Sequence, residues 1–309
     1  MTQTDKTNAI ALLQPLLKLD EYQNVEEVLF QIHESLNAYL KPYKDEEILE
    51  IRKALEEWGV NLYQDFLNRI IKNYQEKHYD TVIKLSENLY RLATRHVFMR
   101  TCLMIYPPFS PRYYLNDFDR YLCEMLYPDV TNEILPYDYM TLYLYRVKAY
   151  QGMQQIDKAL ETLQRAIELD PTSTKLYFLK ANILKDKDLE AAHQALNEAY
   201  LYIHTQEDYF AFLSKKAIYF KMSGDDQTYF LLKDLIEKAN GSYQKLLSLP
   251  HQILKEKRIP LSLSNEVLQV IQKNYQLAKE KHEAESEEYF SSLLSDFYSN
   301  EERRHILSD

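Results

Sequence analysis

Only 4 glycines occur in 309 residues, and that scarcity constrains the fold more than any other feature. Sheets spend glycine on tight turns, and phosphate-binding loops spend it where the backbone must approach a ligand. A chain with so few is expected to be all-α. Apolar residues make up 46% of the chain, ordinary for a packed core and too many for a disordered one. At this length the core is expected as two ordinary domains or one elongated helical stack.

The formal net charge is −10. The lysines are scattered rather than gathered into the basic stripe that a phosphate backbone demands, so no nucleic-acid partner is expected. No apolar run is long enough to span a bilayer, and the short patch from Ala9 to Leu13 is cut by Gln14 and Pro15, a poor signal peptide. Neither a membrane partner nor export is expected, which leaves the cytoplasm. Cys102 and Cys123 lack the spacing of a metal or redox motif, which fits a reducing compartment. The stretch from Ser264 to Asp309 holds 10 Asp/Glu against 5 Lys/Arg and reads as a solvated helical face.

Signs of catalysis are missing. None of the 8 histidines stands in His-Glu-x-x-His spacing, and His282, Glu283 and Glu285 read better as a charged helix surface than as metal ligands. There is no Gly-rich phosphate loop and no G-x-S-x-G elbow. Glu46-Glu47 and Glu56-Glu57 are adjacent pairs, which point apart on a helix. The chain therefore reads as a non-enzyme with no cofactor, metal or catalytic residue.

Periodicity divides the chain into four stretches. Residues 1–98 read as helical hairpins. Val25, Val28, Leu29, Ile32 and Leu36 form one stripe, broken at Lys41-Pro42. Asp45 is expected to cap a long helix carrying Ile48, Ile51, Leu55, Trp58, Leu62, Phe66 and Ile70, with Gly59 as a candidate kink. A further helix follows Tyr79-Asp80 with Val82, Ile83, Leu85, Leu89 and Leu92 as its apolar set. Residues 99–139 are rich in proline and tyrosine. Ser110-Pro111 fits an N-cap with proline at the first helical position, predicting a single bridging helix that buries Leu115, Phe118, Leu122, Met125 and Leu126 and stops at Pro128. Tyr106, Phe109, Tyr113 and Tyr114 around Pro107-Pro108 form a possible contact surface. Most of the 27 tyrosines fall on helical stripes and are expected to pack with the hydroxyl at the rim. Residues 242–309 predict capping helices, one from Asn265 and a last one carrying Tyr289, Phe290, Leu293, Leu294, Phe297 and Tyr298. The last helix is expected either to cap the stack or to detach into the groove or a partner.

Residues 140–241 repeat. Tyr143 and Tyr150 are followed by Ala159, Leu163, Ala166 and Pro171, and Tyr177 lies 34 residues after Tyr143. Ala181, Leu184, Ala192, Leu196 and Ala199 continue the pattern. A third, weaker unit has Leu213, Ala217 and Phe220, then Ser223-Gly224-Asp225 at the turn, with Tyr229 and Ile236 where small residues are wanted. Alanines two turns apart share one helix face and let paired helices approach closely. This pattern resembles the tetratricopeptide repeat family over about a third of the chain, although Arg146 and Val147 stand where the family has Leu-Gly.

The resemblance implies a right-handed α-solenoid of helical hairpins whose first helices line a concave surface for a protein or peptide partner. The presented positions would be Leu144, Lys148 and Gln151, then Phe178, Asn182 and Lys185, then Ser214, Ile218 and Lys221. Lys148, Asn182, Lys185 and Lys221 would make a mildly basic strip suited to an acidic peptide. Leu144 stands where some members begin a carboxylate clamp with lysine, so that role is not implied. The leading reading is a non-catalytic scaffold or adaptor. An alternative is a peptide-responsive regulator whose groove controls the N-terminal helices, although no basic recognition helix appears there.

Overall fold

A computed structural model describes residues 3–19, 21–23, 25–94, 109–128, 131–134 and 137–308. Cys102, Tyr106, the Pro107-Pro108 corner and Pro136 lie outside them; of the expected aromatic contact surface, Tyr113 and Tyr114 are described and are half-buried. In chain order the first helices are α1 (Gln3–Ala11), a 3-10 turn (Gln14–Lys18), α2 (Glu26–Leu40), α3 (Asp45–Gln75) and α4 (Tyr79–Thr94). Then come β1 (Phe109–Arg112), α5 (Asp117–Leu126), β2 (Thr131–Ile134), α6 (Tyr139–Gly152) and α7 (Ile156–Leu169). The remainder is helical: α8 (Thr174–Leu184), α9 (Leu189–Tyr200), α10 (Gln206–Met222), α11 (Asp226–Ala239), α12 (Tyr243–Ser248) and α13 (Gln252–Glu256). Last are α14 (Asn265–Lys281), α15 (Ala284–Ser295) and α16 (Asn300–Ser308). Helices dominate, and many pack against the next along the chain, as the glycine scarcity predicts. Among the described residues no helix is long and apolar enough to cross a membrane.

Two compact units result: residues 1–113 with 131–169, and residues 114–130 with 170–309. The division at Leu169/Asp170 falls between the first and second hairpins of the repeating region.

In the first unit, α4 turns back along α3 after three residues, α6 packs on both, and α7 packs on α6. The inward stripes meet there: Leu62, Phe66, Ile70, Leu85, Leu89, Tyr143, Val147, Ala159, Leu163 and Ala166 are all buried. Gly59 is buried within an unbroken α3 rather than kinking it, and Asp45 opens the first turn, where Glu47 accepts the Lys44 N–H at 3.1 Å. Tyr63 donates its hydroxyl to the Asp138 carbonyl at 3.1 Å, and Asp138 caps α6 through the Thr141 N–H at 2.8 Å.

The bridging segment departs from expectation. Ser110-Pro111 lies in β1, which pairs in parallel with β2 (Phe109 opposite Thr131, Arg112 opposite Ile134), and the helix is capped instead by Asn116, which accepts the Asp119 N–H at 2.9 Å. Proline supplies no N–H for a ladder and is tolerated at a sheet edge. The strand's end is held by α7, since Arg112 donates to the Glu168 carbonyl and the Tyr113 N–H to Leu169 O at 3.1 Å. Those carbonyls belong to the last turn of α7, where acceptors have no partner within the helix.

Arg146 is only 6% exposed. Its Nε donates to Ser86 Oγ at 2.9 Å and its guanidinium lies 5.6 Å from the Tyr143 ring, yet among the described residues its buried Nη2 has no acceptor and no carboxylate is in ion-pair contact with it. Burial holds its pKa below the usual arginine value. The Glu87 charge opposes this only in part, and a buried cation with no carboxylate in direct contact costs more than well-packed carbon. Arg146→Leu is expected to raise stability by about 1–2 kcal/mol, because Ser86 keeps its own bond to the Ile83 carbonyl at 2.9 Å. Urea denaturation measures this directly, and a loss of stability would show that the guanidinium contacts outweigh desolvation.

In the second unit, α8 pairs with α9 and α10 with α11, while α10 also packs on α9 and α8. The α10–α11 turn needs Gly224, whose φ is +85°. Asp225 then caps α11 through the Thr228 N–H at 3.0 Å and pairs with Lys257 at 2.6 Å. Together these partners hold the Asp225 carboxyl down at about 2. Helices α14, α15 and α16 pack mutually, and α5 packs on α14. The expected last helix is two helices: α15 ends at Ser295, Phe297 and Tyr298 lie in the turn beyond it, and α16 follows.

Candidate functional site

An apolar notch of the second unit lies where α8, α9 and α10 meet. Its floor is Ala181, Ala192 and Leu196, none more than 4% exposed. Small side chains on both α8 and α9 draw the two helices together and leave a shallow seat. Asp188 fixes the start of α9 by accepting the Ala191 N–H at 2.9 Å, and Lys185 sits at the C-terminus of α8, where a cation complements the helix dipole.

The third wall is α10. Lys215, Ile218, Tyr219 and Met222 follow one another at i, i+3, i+4 and i+7 and therefore share a face. Ile218 and Met222 are 44% and 41% exposed, high for such apolar side chains. Tyr219 stacks on His193 at 4.1 Å between ring centroids, with ring planes 15° apart.

Lys215 bridges the notch. Its ammonium donates to Asn182 Oδ1 at 3.2 Å and lies 5.3 Å from the Phe178 ring centroid. Burial, and then the charge of Lys185, lower its pKa. Among the described residues neither lysine forms an ion pair, and no acid lines the notch. Lys216, behind it on α10, is only 4% exposed and donates to Asn197 Oδ1 at 2.5 Å. Burial pushes its pKa down to about 8. His193 is lowered too, by burial and then by Lys216. Two neighbouring ammonium groups beside exposed apolar side chains can hold an anionic group and an alkyl or aromatic group at once.

Of the nine residues expected to face a ligand, the notch gathers three: Asn182, Lys185 and Ile218. Phe178 is buried and supports Lys215 from below. Ser214 spends its hydroxyl on the Phe210 carbonyl of its own helix at 2.8 Å, and Lys221 leans over the Tyr229 ring at 5.0 Å. The expected α10 row, Ser214–Ile218–Lys221, is therefore shifted: the α10 residues lining the notch are Lys215, Ile218, Tyr219 and Met222. A period-3.6 stripe drawn through the exposed Ile218 would have found them. Leu144, Lys148 and Gln151 belong to the other compact unit, on α6, where Lys148 lies 4.6 Å from the Tyr145 ring and 6.0 Å from that of Tyr74.

No protein-family model and no curated protein matches the chain.

Proposed function

We propose that the chain is a non-catalytic, tetratricopeptide-like binding module of the cytoplasm that captures an acidic peptide segment of a partner protein. The successive hairpins α6–α7, α8–α9 and α10–α11, with buried alanines at Ala159, Ala166, Ala192 and Ala199, support the repeat reading. The observation that carries the function is the unneutralised pair Lys185 and Lys215 beside the exposed Ile218 and Met222, in a protein of net charge −10. Elsewhere on α8 a lysine has an acidic partner, as Lys180 has Glu198 at 3.2 Å. An acidic peptide supplies that missing charge while an apolar side chain covers Leu196 and Ile218.

The test is fluorescence anisotropy against a library of labelled peptides mixing Asp/Glu with one large apolar residue. A saturable binder is expected to weaken at least tenfold in Lys185→Glu/Lys215→Glu, because an attraction becomes a repulsion. Affinity is also expected to fall as pH rises from 7 to 9. Lys215 and Lys216 both have lowered pKa values, so their charge is lost earlier than that of ordinary lysines. Retention of full affinity by the charge-reversed variant would sink this reading.

A further inference from the structure

A second feature, remote from the notch in sequence, concerns cations. In the stretch from Ser264 to Asp309 acids outnumber bases, yet three of its five bases line one cleft: Lys279 from α14 and Arg303 and Arg304 from α16. Among the described residues the other polar lining groups are neutral, Tyr275, Ser291, Asn300 and Ser308, and no acid lines the cleft. Among the described residues, none of the three cations forms an ion pair. In a segment this acidic, cations left to pack freely would be expected to pair with neighbouring carboxylates, as Lys233 and Lys238 of α11 do with Glu237 and Asp234.

The cations are held in place by the fold. Gln272 and Gln276 of α14 donate to the carbonyls of Ile306 and Leu307, the last turn of α16. Ser299 and Glu302 form a reciprocal cap at its other end, with Ser299 N–H to Glu302 Oε2 at 2.8 Å and Glu302 N–H to Ser299 Oγ at 3.3 Å. Glu302 is thereby occupied in capping its helix. Arg303 donates to Asn300 Oδ1, which leaves the Asn300 amide as a donor. The Arg303 Nε–H is buried with no acceptor. A buried donor without a partner carries a desolvation cost that a bound acceptor would relieve.

We propose that this cleft between α14, α15 and α16 binds a phosphate monoester. The charge balance selects the ligand: a monoester carries between one and two negative charges and three acceptor oxygens at neutral pH. Two guanidinium groups and an ammonium match that better than a single carboxylate. Arginine's planar fork suits phosphate oxygens, and the lysine adds a point charge. The Ser291 hydroxyl and the Asn300 amide supply neutral donors at the rim.

The test is isothermal titration of the full-length chain at low ionic strength with O-phosphoserine and inorganic phosphate, using serine and acetate as controls. Saturable one-site binding of both phosphates is expected, with acetate at least tenfold weaker. Lys279→Gln/Arg304→Gln is expected to weaken phosphate binding at least tenfold. These two side chains are exposed, so an unchanged melting temperature separates lost binding from lost folding; Arg303→Gln serves as a second variant. No saturable phosphate binding, equal affinity for acetate, or binding unchanged in the double variant would overturn the proposal. So would a single-stranded oligonucleotide that binds more tightly than phosphoserine, which would assign the cleft to phosphodiesters.

Discussion

Asp119→Asn is expected to gain stability relative to the parent protein as pH rises, by up to about 1.4 kcal/mol for each pH unit between pH 5 and 8. Asp119 on α5 and Asp170 at the approach to α8 are both essentially excluded from solvent, 1% and 0% exposed, and share a hydrogen bond. Their donors are unequal. Asp170 accepts the Leu115 N–H at 2.9 Å and the Thr172 hydroxyl at 3.3 Å. Among the described residues the Asp119 carboxyl accepts the Asn116 amide alone, at 2.8 Å on Oδ2, while its Oδ1 is buried without a donor. The proton of the pair therefore resides on Asp119, whose pKa burial, and then the Asp170 charge, push up to about 9. Asp208 adds to this and Lys175 opposes it.

An unfolded aspartate releases its proton near pH 4. Above that pH and below the folded value, the native state holds one proton more than the unfolded chain, so this group's contribution falls as pH rises. Asparagine presents a similar shape, donates to Asp170 through its amide, and does not titrate. Urea denaturation of both proteins at pH 5, 6.5 and 8 cancels the titrating groups outside this coupled Asp119–Asp170 pair. A stability gap constant across that range would mean that Asp119 is already ionised in the fold.

The same pair shows how far the sequence could be read. Asp119 and Asp170 are distant along the chain, and neither carries a local signal. What was legible was local and periodic. Ala159 with Ala166, and Ala192 with Ala199, lie two turns apart, and all four are buried in helices that pair with the preceding one. What was missed depended on distant partners or on polar stretches. Ser110-Pro111 looks like a helix start, but its backbone pairs with residues 131–134, a partner that no local pattern announces. Helix α16 is polar, with Leu307 its buried residue, so it lacks the stripe that marks a helix in sequence. For the notch, Asn182, Lys185 and Ile218 were in view, whereas Lys215 required knowing which face of α10 meets α9. Lys279, Arg303 and Arg304 looked like scattered bases in an acidic tail, because only folding brings α16 back onto α14.

Tyr209→Ala is expected to cost about 3–5 kcal/mol, the range for emptying a large buried aromatic site. Tyr209 is 0% exposed at the start of α10. Its ring lies 5.1 Å from that of Tyr243 on α12 and 6.2 Å from that of Phe297, beyond α15, while Phe297 and Tyr243 are 4.8 Å apart. The phenol donates to the Pro260 carbonyl at 2.7 Å. One side chain thus ties the third hairpin to three later segments, and its hydroxyl is buried with the ring instead of lying at the rim where a phenol was expected. Tyr209→Phe keeps the ring and leaves the Pro260 carbonyl without this donor, so about 1–2 kcal/mol of loss is expected from it. The two variants separate packing from hydrogen bonding in one urea series, and a loss below 1 kcal/mol for the alanine variant would mean that the aromatic cluster is not a keystone. The phenylalanine variant also separates stability from recognition. Lys215, Ile218 and Met222 lie further along α10 than Tyr209, so capture of an acidic peptide should survive Tyr209→Phe unchanged while the melting temperature falls. If both decline together, the notch depends on the C-terminal segments holding α10 in place, and those segments belong to the binding machinery rather than to a passive cap.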